Sequence, residues 1–291
     1  MSNTSPHQSN DCALLVLSCD PYSDLWPPFF TLFHRYWPDC PFQIFLGTGK
    51  SSVTPSNIHV LRSSAERDWS QCTMDYLNAL DQTYVLIILD DFFLRRPVKT
   101  SDILQCLESA RVLAATQLRL IPRPGPTDRL PTESNIGSCA AGSPYRLSTQ
   151  AAIWDRVKLK NLLRAGESIW EFEHNANYRA NQQPDGFFSV RKAVLPYEGI
   201  WGHHVIEKGK WLPHEKRIFA ALDIGCDFSK RGTLPWVQTA FNQLAQTVNH
   251  LIGVFPWRVQ IRLKRSLKFL LRPFMGKALD RLGQTPANSR L

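Results

Sequence analysis

The chain reads as an α/β protein: a mixed, mostly parallel sheet flanked by helices, followed by a basic helical tail. Three observations predict this. Residues 13–18 (ALLVLS) and 84–89 (YVLIIL) are short aliphatic runs of the length and composition of strands buried on both faces. Between and after such runs lie stretches with apolar residues at helical spacing, and strands alternating with helices favour parallel pairing. Charge, finally, is unevenly placed: the chain carries +9, but from Leu251 onward nine basic residues face Asp280 alone. Residues 1–250 therefore carry only +1, which excludes a basic nucleic-acid groove across the main body.

Residues 1–11 are a polar lead-in. The strand at 13–18 ends in Ser18-Cys19-Asp20-Pro21-Tyr22. Phe29, Phe33 and Trp37 then share one helical face, stopped by Pro38. Residues 43–46 and 57–61 are predicted as the next strands, the first ended by Gly47 and Gly49. Residues 69–80 form a helix with Trp69, Cys72, Tyr76 and Leu80 on one stripe. The strand at 84–89 delivers Asp90 and Asp91 to its carboxyl end, where open α/β sheets place their ligand crevice.

Beyond Pro97, residues 100–115 are predicted helical with Ile103, Leu107 and Val112 inward, and 118–122 as a strand. The Pro-, Gly- and Ser-rich segment 123–142 is predicted as a loop over the site. Residues 145–150 alternate like a strand and 153–163 read as a short helix. In 166–173 (GESIWEFE), acids interleave with large aromatics as on a half-buried strand. On that parity Glu171 and Glu173 share one face and Trp170 and Phe172 the other. His203 and His204 sit in an extended segment and point opposite ways, so at most one serves a site.

Seven scattered cysteines without a C-x-x-C pair suggest reduced thiols in a cytoplasmic protein, and no apolar run approaches the roughly 20 residues that span a bilayer. Residues 12–232 are read as one catalytic domain and 233–291 as the helical basic segment. In the tail, Val259, Leu263, Leu267, Leu270, Leu271 and Phe274 form a stripe, with Arg258, Arg262, Lys264, Arg265, Lys268 and Arg272 around it. A basic amphipathic helix suits an anionic membrane surface, here through residues 256–282.

Taken in order, LVLSCDPYSDLWPPFFTLFHRYWPDC, WSQCTMDYLNAL, YVLIILDDFFL, YRLSTQAAIW, GESIWEFE and IEKGKW, covering residues 14–211, resemble the GT-A-fold nucleotide-sugar glycosyltransferases. The resemblance is to bacterial enzymes of surface-polysaccharide assembly in particular. It implies a GT-A-like, Rossmann-related fold and transfer of a hexose from a nucleotide-diphosphate donor to a glycan or lipid-linked acceptor, with inversion, at the cytoplasmic face of the membrane. It places Ser18, Asp20 and Tyr22 at the base and ribose, and Asp90 and Asp91 at a divalent metal, Mn or Mg, bridging the diphosphate. The family's usual Asp-x-Asp is here two adjacent acids, which leaves open which one touches the metal; Asp91 is assigned to it and Asp90 to the ribose or a structural bond. The general base falls on Glu171 or Glu173, with Glu171 preferred, Trp170 as a sugar-stacking platform, Arg146 toward phosphate, and His203 or His204 near metal or diphosphate. A metal-dependent nucleotidyl or phosphoryl transferase using the same acids is a rival reading, disfavoured by the lack of a G-x-x-x-x-G-K-[ST] loop. A non-catalytic nucleotide-sugar-binding or scaffold protein of the same fold is another.

Overall fold

The computed structural model describes residues 11–49, 58–64, 67–131, 135–197, 204–222 and 224–236, with single positions at 248, 252, 259, 262, 263 and 266. Strands β1 (Cys12–Leu17), β2 (Gln43–Thr48), β3 (His59–Arg62) and β4 (Tyr84–Leu89) make the parallel half of a sheet. The other half comprises β5 (Gln117–Arg119), β6 (Asp128–Arg129), β7 (Ile136–Ser138), β8 (Ala152–Asp155) and β9 (Phe187–Val190). Nine strands run in the order β3-β2-β1-β4-β8-β5-β9-β7-β6, with β8 antiparallel to both its neighbours. From β1 the chain moves outward to β2 and β3, then returns to lay β4 on the other side of β1. That reversal opens a crevice outside the carboxyl ends of β1 and β4.

The two central strands alternate their side chains between two cores. Leu14, Val16, Leu86 and Ile88 face α1 (Trp26–Tyr36), α3 (Thr100–Val112) and α6 (Pro213–Ala220) through Phe29, Phe33, Ile103, Leu107 and Phe219. Leu15, Leu17, Val85 and Ile87 face α2 (Trp69–Asn78), α4 (Arg156–Leu162) and α5 (Ile169–Asn181) through Tyr76, Leu77, Leu159, Phe172 and Ala176. Burial on both faces explains why β1 and β4 read as unbroken apolar runs. The mixed, mostly parallel α/β sheet flanked by helices is thus present.

Several local expectations fail, each for an identifiable reason. Residues 145–150 form turns rather than a strand. Tyr145 has φ of 51°, and the backbone and side chains at 148 and 149 are held by Glu173 instead of a ladder. Residues 152–155 are the strand β8, and the helix begins only at Arg156, where Asp155 caps it by accepting from the Lys158 N–H at 2.9 Å. Residues 169–173 are helical, not extended. Ser168 and Glu171 form a capping box there, and helical spacing puts Phe172, Ala176 and Ala180 on one buried face. Burying Phe172 contributes roughly 2–3 kcal/mol, more than the weak strand preference of an acid–aromatic alternation. Val112 points outward, 73% exposed, because α3 ends there. The loop over 123–142 carries the short pair β6–β7.

Candidate functional site

The site is built where β1 and β4 end. Ser18, the first residue past β1, donates its hydroxyl to Asp90 Oδ2 and accepts from the buried Trp26 indole N–H at 2.7 Å. Trp26 is fully buried as the opening residue of α1, so it braces Ser18, and Ser18 braces Asp90. Asp90 is itself only 5% exposed. Its carboxyl is pushed well above the ordinary range by burial and then by the neighbouring Asp91 charge; the Ser18 and Trp26 hydrogen bonds and Arg231 oppose this.

Asp91 is half-buried and pushed up to about 6 by burial, against the opposing charge of His204 and of Arg231. The approach of His204 is a backbone matter. Phe92 and His204 form an isolated antiparallel bridge, and the Val205 N–H donates to the Asp91 carbonyl at 2.8 Å. Burial works to lower the His204 pKa, but Glu207, 3.9 Å away, and the charges of Asp91 and Glu215 outweigh it and raise it.

A 3-10 turn, Asp20–Leu25, follows Ser18. Asp20 Oδ1 accepts from Thr48 Oγ1 at 2.8 Å and from the Gly49 N–H at 3.2 Å, joining the ends of β1 and β2. A Cβ on Gly49 would lie 2.9 Å from Asp20 Oδ2, so a side chain there would push the Asp20 carboxylate aside. Tyr22 lies under the Arg231 guanidinium, whose carbon is 4.3 Å from the ring centroid. Its phenol is pushed up to about 12, by burial first and then by Asp91.

Six of the predicted residues therefore come together at this crevice: Ser18, Asp20, Tyr22, Asp90, Asp91 and His204. Others do not join them as expected. Arg146 is 2% exposed, and its guanidinium is engaged by the carbonyls of Cys139, Ala180, Gln183 and Pro184 at 2.5–2.9 Å. It clamps the end of α5 to the neighbouring turn instead of facing phosphate. Glu171 is a surface group whose carboxylate is spent on Ser168, which holds its pKa low through backbone and hydroxyl hydrogen bonds. Trp170, on the same first turn of α5, is half exposed. On a helix Glu171 and Glu173 no longer share a face. Glu173 accepts from Ser148 Oγ, Thr149 N and Thr149 Oγ1 at 2.8–3.0 Å, all through Oε1. Thr149 and Phe172 in turn line a small apolar cavity with Leu17, Ile87 and Leu89, the residues that lead into Ser18 and Asp90. Of the two glutamates, only Glu173 is tied to this cavity's lining, through its hydrogen bonds to Thr149. His203 lies outside the described residues.

Among the described residues no three His, Cys, Asp or Glu side chains converge to hold a metal ion. The donors present, Asp91 beside Asp90, fit a hard cation that takes one or two carboxylates from protein and the rest from phosphate and water. The Asp91 charge adds to the proton affinity of the buried Asp90, and a cation would relieve such a pair.

Sequence reading missed Trp26 and Arg231. Trp26 carried a faint signal, since Pro27 and Pro28 mark a helix start that places its indole back toward Ser18. Arg231 carried none. It donates from Nε and Nη2 to both Asp24 oxygens at 2.8 and 2.7 Å, and from Nη2 to the Pro21 carbonyl at 2.5 Å.

No protein-family model matches the chain, and no curated protein matches it in sequence. Among solved structures it is similar to the crystal structure of S. aureus TarS 1–349. The likeness has 12% sequence identity and a TM-score of 0.45, over 94% of this chain and 92% of that one.

Proposed function

We propose that the chain is a glycosyltransferase that moves a sugar from a nucleoside-diphosphate donor to a glycan or lipid-linked glycan acceptor in cell-surface polysaccharide synthesis. The observation that carries this reading is the braced acid pair at the sheet's reversal: Trp26 to Ser18 to Asp90, with Asp91 beside it. Asp20 and Tyr22 stand in the adjoining turn, where a nucleoside would lie. Asp91, with Asp90 behind it and His204 brought near by the Phe92–His204 bridge, would face the diphosphate end of the donor. A divalent cation, Mn²⁺ or Mg²⁺, held by Asp91 would neutralise the departing diphosphate. Glu173, fixed through Oε1 by Ser148 and Thr149, takes the acceptor hydroxyl's proton in an inverting displacement. The enzyme works at the cytoplasmic membrane face, with the basic segment 256–282 against anionic lipid.

A thermal-shift screen of nucleoside diphosphates with and without Mn²⁺ tests the donor site. One nucleotide, in the presence of metal, is expected to stabilise the protein by about 2.7 kcal/mol at a hundredfold excess over Kd. If no nucleotide does so, the reading fails. Turnover that releases diphosphate or a nucleotidylated product instead of a nucleoside diphosphate would point to nucleotidyl transfer by the same acids.

A further inference from the structure

The segment that follows α6 turns back to the donor turn, where Arg231 bonds to Asp24 and Pro21. Its guanidinium joins two pieces of the chain that are far apart in sequence, the 21–24 turn and Gly209. The fork closes on Asp24, with the arginine side chain 9% and the aspartate 7% exposed. Nη2 also binds the Pro21 carbonyl, and Nη1 reaches the Gly209 carbonyl at 3.4 Å. Gly209 sits in the β10 (Ile206–Glu207) to β11 (Lys210–Trp211) turn, where φ is 51° at Lys208 and 73° at Gly209, a tight hairpin that glycine permits. That hairpin begins two residues after His204, which forms an isolated bridge with Phe92. The planar face of the same group lies on Tyr22. One side chain thus fixes the donor turn on one side and the β10–β11 hairpin on the other, and its charge acts on both Asp90 and Asp91.

The chemistry requires arginine. A lysine keeps the charge but cannot make a bidentate pair with Asp24 and lie flat on a ring at once. Two further contacts hold the segment in place without touching the turn: the Trp211 N–H donates to Gly232 O and the Leu234 N–H to Trp211 O, at 3.0 and 2.9 Å. The segment therefore keeps an attachment of its own when Arg231 is changed.

We infer that Arg231 is a positioning residue of the nucleoside-diphosphate site, holding Tyr22 and the Asp20–Leu25 turn in the shape that receives the donor. This rests on the donor reading above. The test uses the full chain, the nucleoside diphosphate found by the thermal screen, and the variants Arg231→Lys and Arg231→Ala. Dissociation constants are measured well below the melting temperature of each protein. Both variants are expected to bind the nucleotide about tenfold or more weakly, with donor KM rising while acceptor KM stays unchanged. A role confined to stability would lower the melting temperature and leave both constants where they are. Nucleotide affinity of Arg231→Lys equal to that of the wild type overturns the inference and leaves the donor reading intact. A wild-type protein that binds no nucleoside diphosphate overturns the donor reading itself, and this role with it.

Discussion

At the residue scale, Asp91 converts the site's electrostatics into a pH dependence. Its carboxyl is pushed up to about 6 in the folded chain, above the value of 3.8 for an unperturbed aspartate. The folded state therefore binds this proton more tightly than the unfolded state. The stability it contributes is complete at acid pH and is lost as pH rises from about 4 through about 6. Asp91→Asn removes the loss. The metal-free variant is expected to be more stable than the wild type by about 2 kcal/mol near neutral pH and no more stable near pH 4. Urea melts at the two pH values check this, and an equal difference at both would show that the aspartate's ionisation is not the cause. Ser18→Ala is expected to act on the neighbouring acid. It leaves Trp26 and Asp90 without the hydroxyl between them, a loss of about 1–3 kcal/mol for buried polar groups. The check is the change in unfolding free energy, together with weakened Mn²⁺-dependent nucleotide binding.

At the scale of elements, the corner between α5 and the 148–149 turn separates two glutamates that looked equivalent. Glu173→Gln keeps an oxygen for the Thr149 hydrogen bonds but cannot take a proton, and is expected to lower kcat by about a hundredfold or more. Glu171→Gln is expected to leave kcat unchanged, because that carboxylate only closes the helix cap. Ser168→Ala removes the other half of the cap and is expected to cost about 1 kcal/mol of stability without changing turnover. Steady-state kinetics beside thermal melts distinguish the two kinds of effect. The same corner shows what was legible in the sequence. β1 and β4 were readable because strands buried on both faces must be aliphatic throughout, and the acids at their ends fell where the sheet opens. GESIWEFE was misread because its alternation satisfies a period of two locally. The helix is revealed only by the Ser168–Glu171 cap and by Ala176 and Ala180, four and eight residues beyond Phe172. Arg146 looked available for phosphate because nothing in its neighbours tells that four carbonyls from residues 139–184 converge on it.

At the scale of the whole molecule, the charge asymmetry sets the basic C-terminal segment apart from a nearly neutral body. No described helix is long and apolar enough to cross a membrane. In the basic segment the described positions Val259 and Leu263, both on the predicted apolar stripe, are 39% and 37% exposed, and Arg262 and Ser266 are exposed too. The rest of 256–282 lies outside the described residues. The protein is expected to sediment with vesicles containing anionic lipid at low salt and to be released at high salt, each basic residue near the surface contributing on the order of 1 kcal/mol. Removing residues 256–291 should abolish the binding; full retention would end the membrane role of the tail.

Arg231 reaches back 207 residues to Asp24, and this separation sets an order of events during biosynthesis. The parallel half of the sheet, with both aspartates at its edge, leaves the ribosome long before the side chain that fixes the donor turn exists. Such a distant closure is slow relative to local structure, because the loop entropy must be met before the contact returns anything. The Asp20–Leu25 turn is therefore fixed only after the acid pair has been made. A nascent chain that stops short of residue 231 carries the acid pair without the fixed turn, and on the donor reading proposed above it would bind activated sugar only weakly.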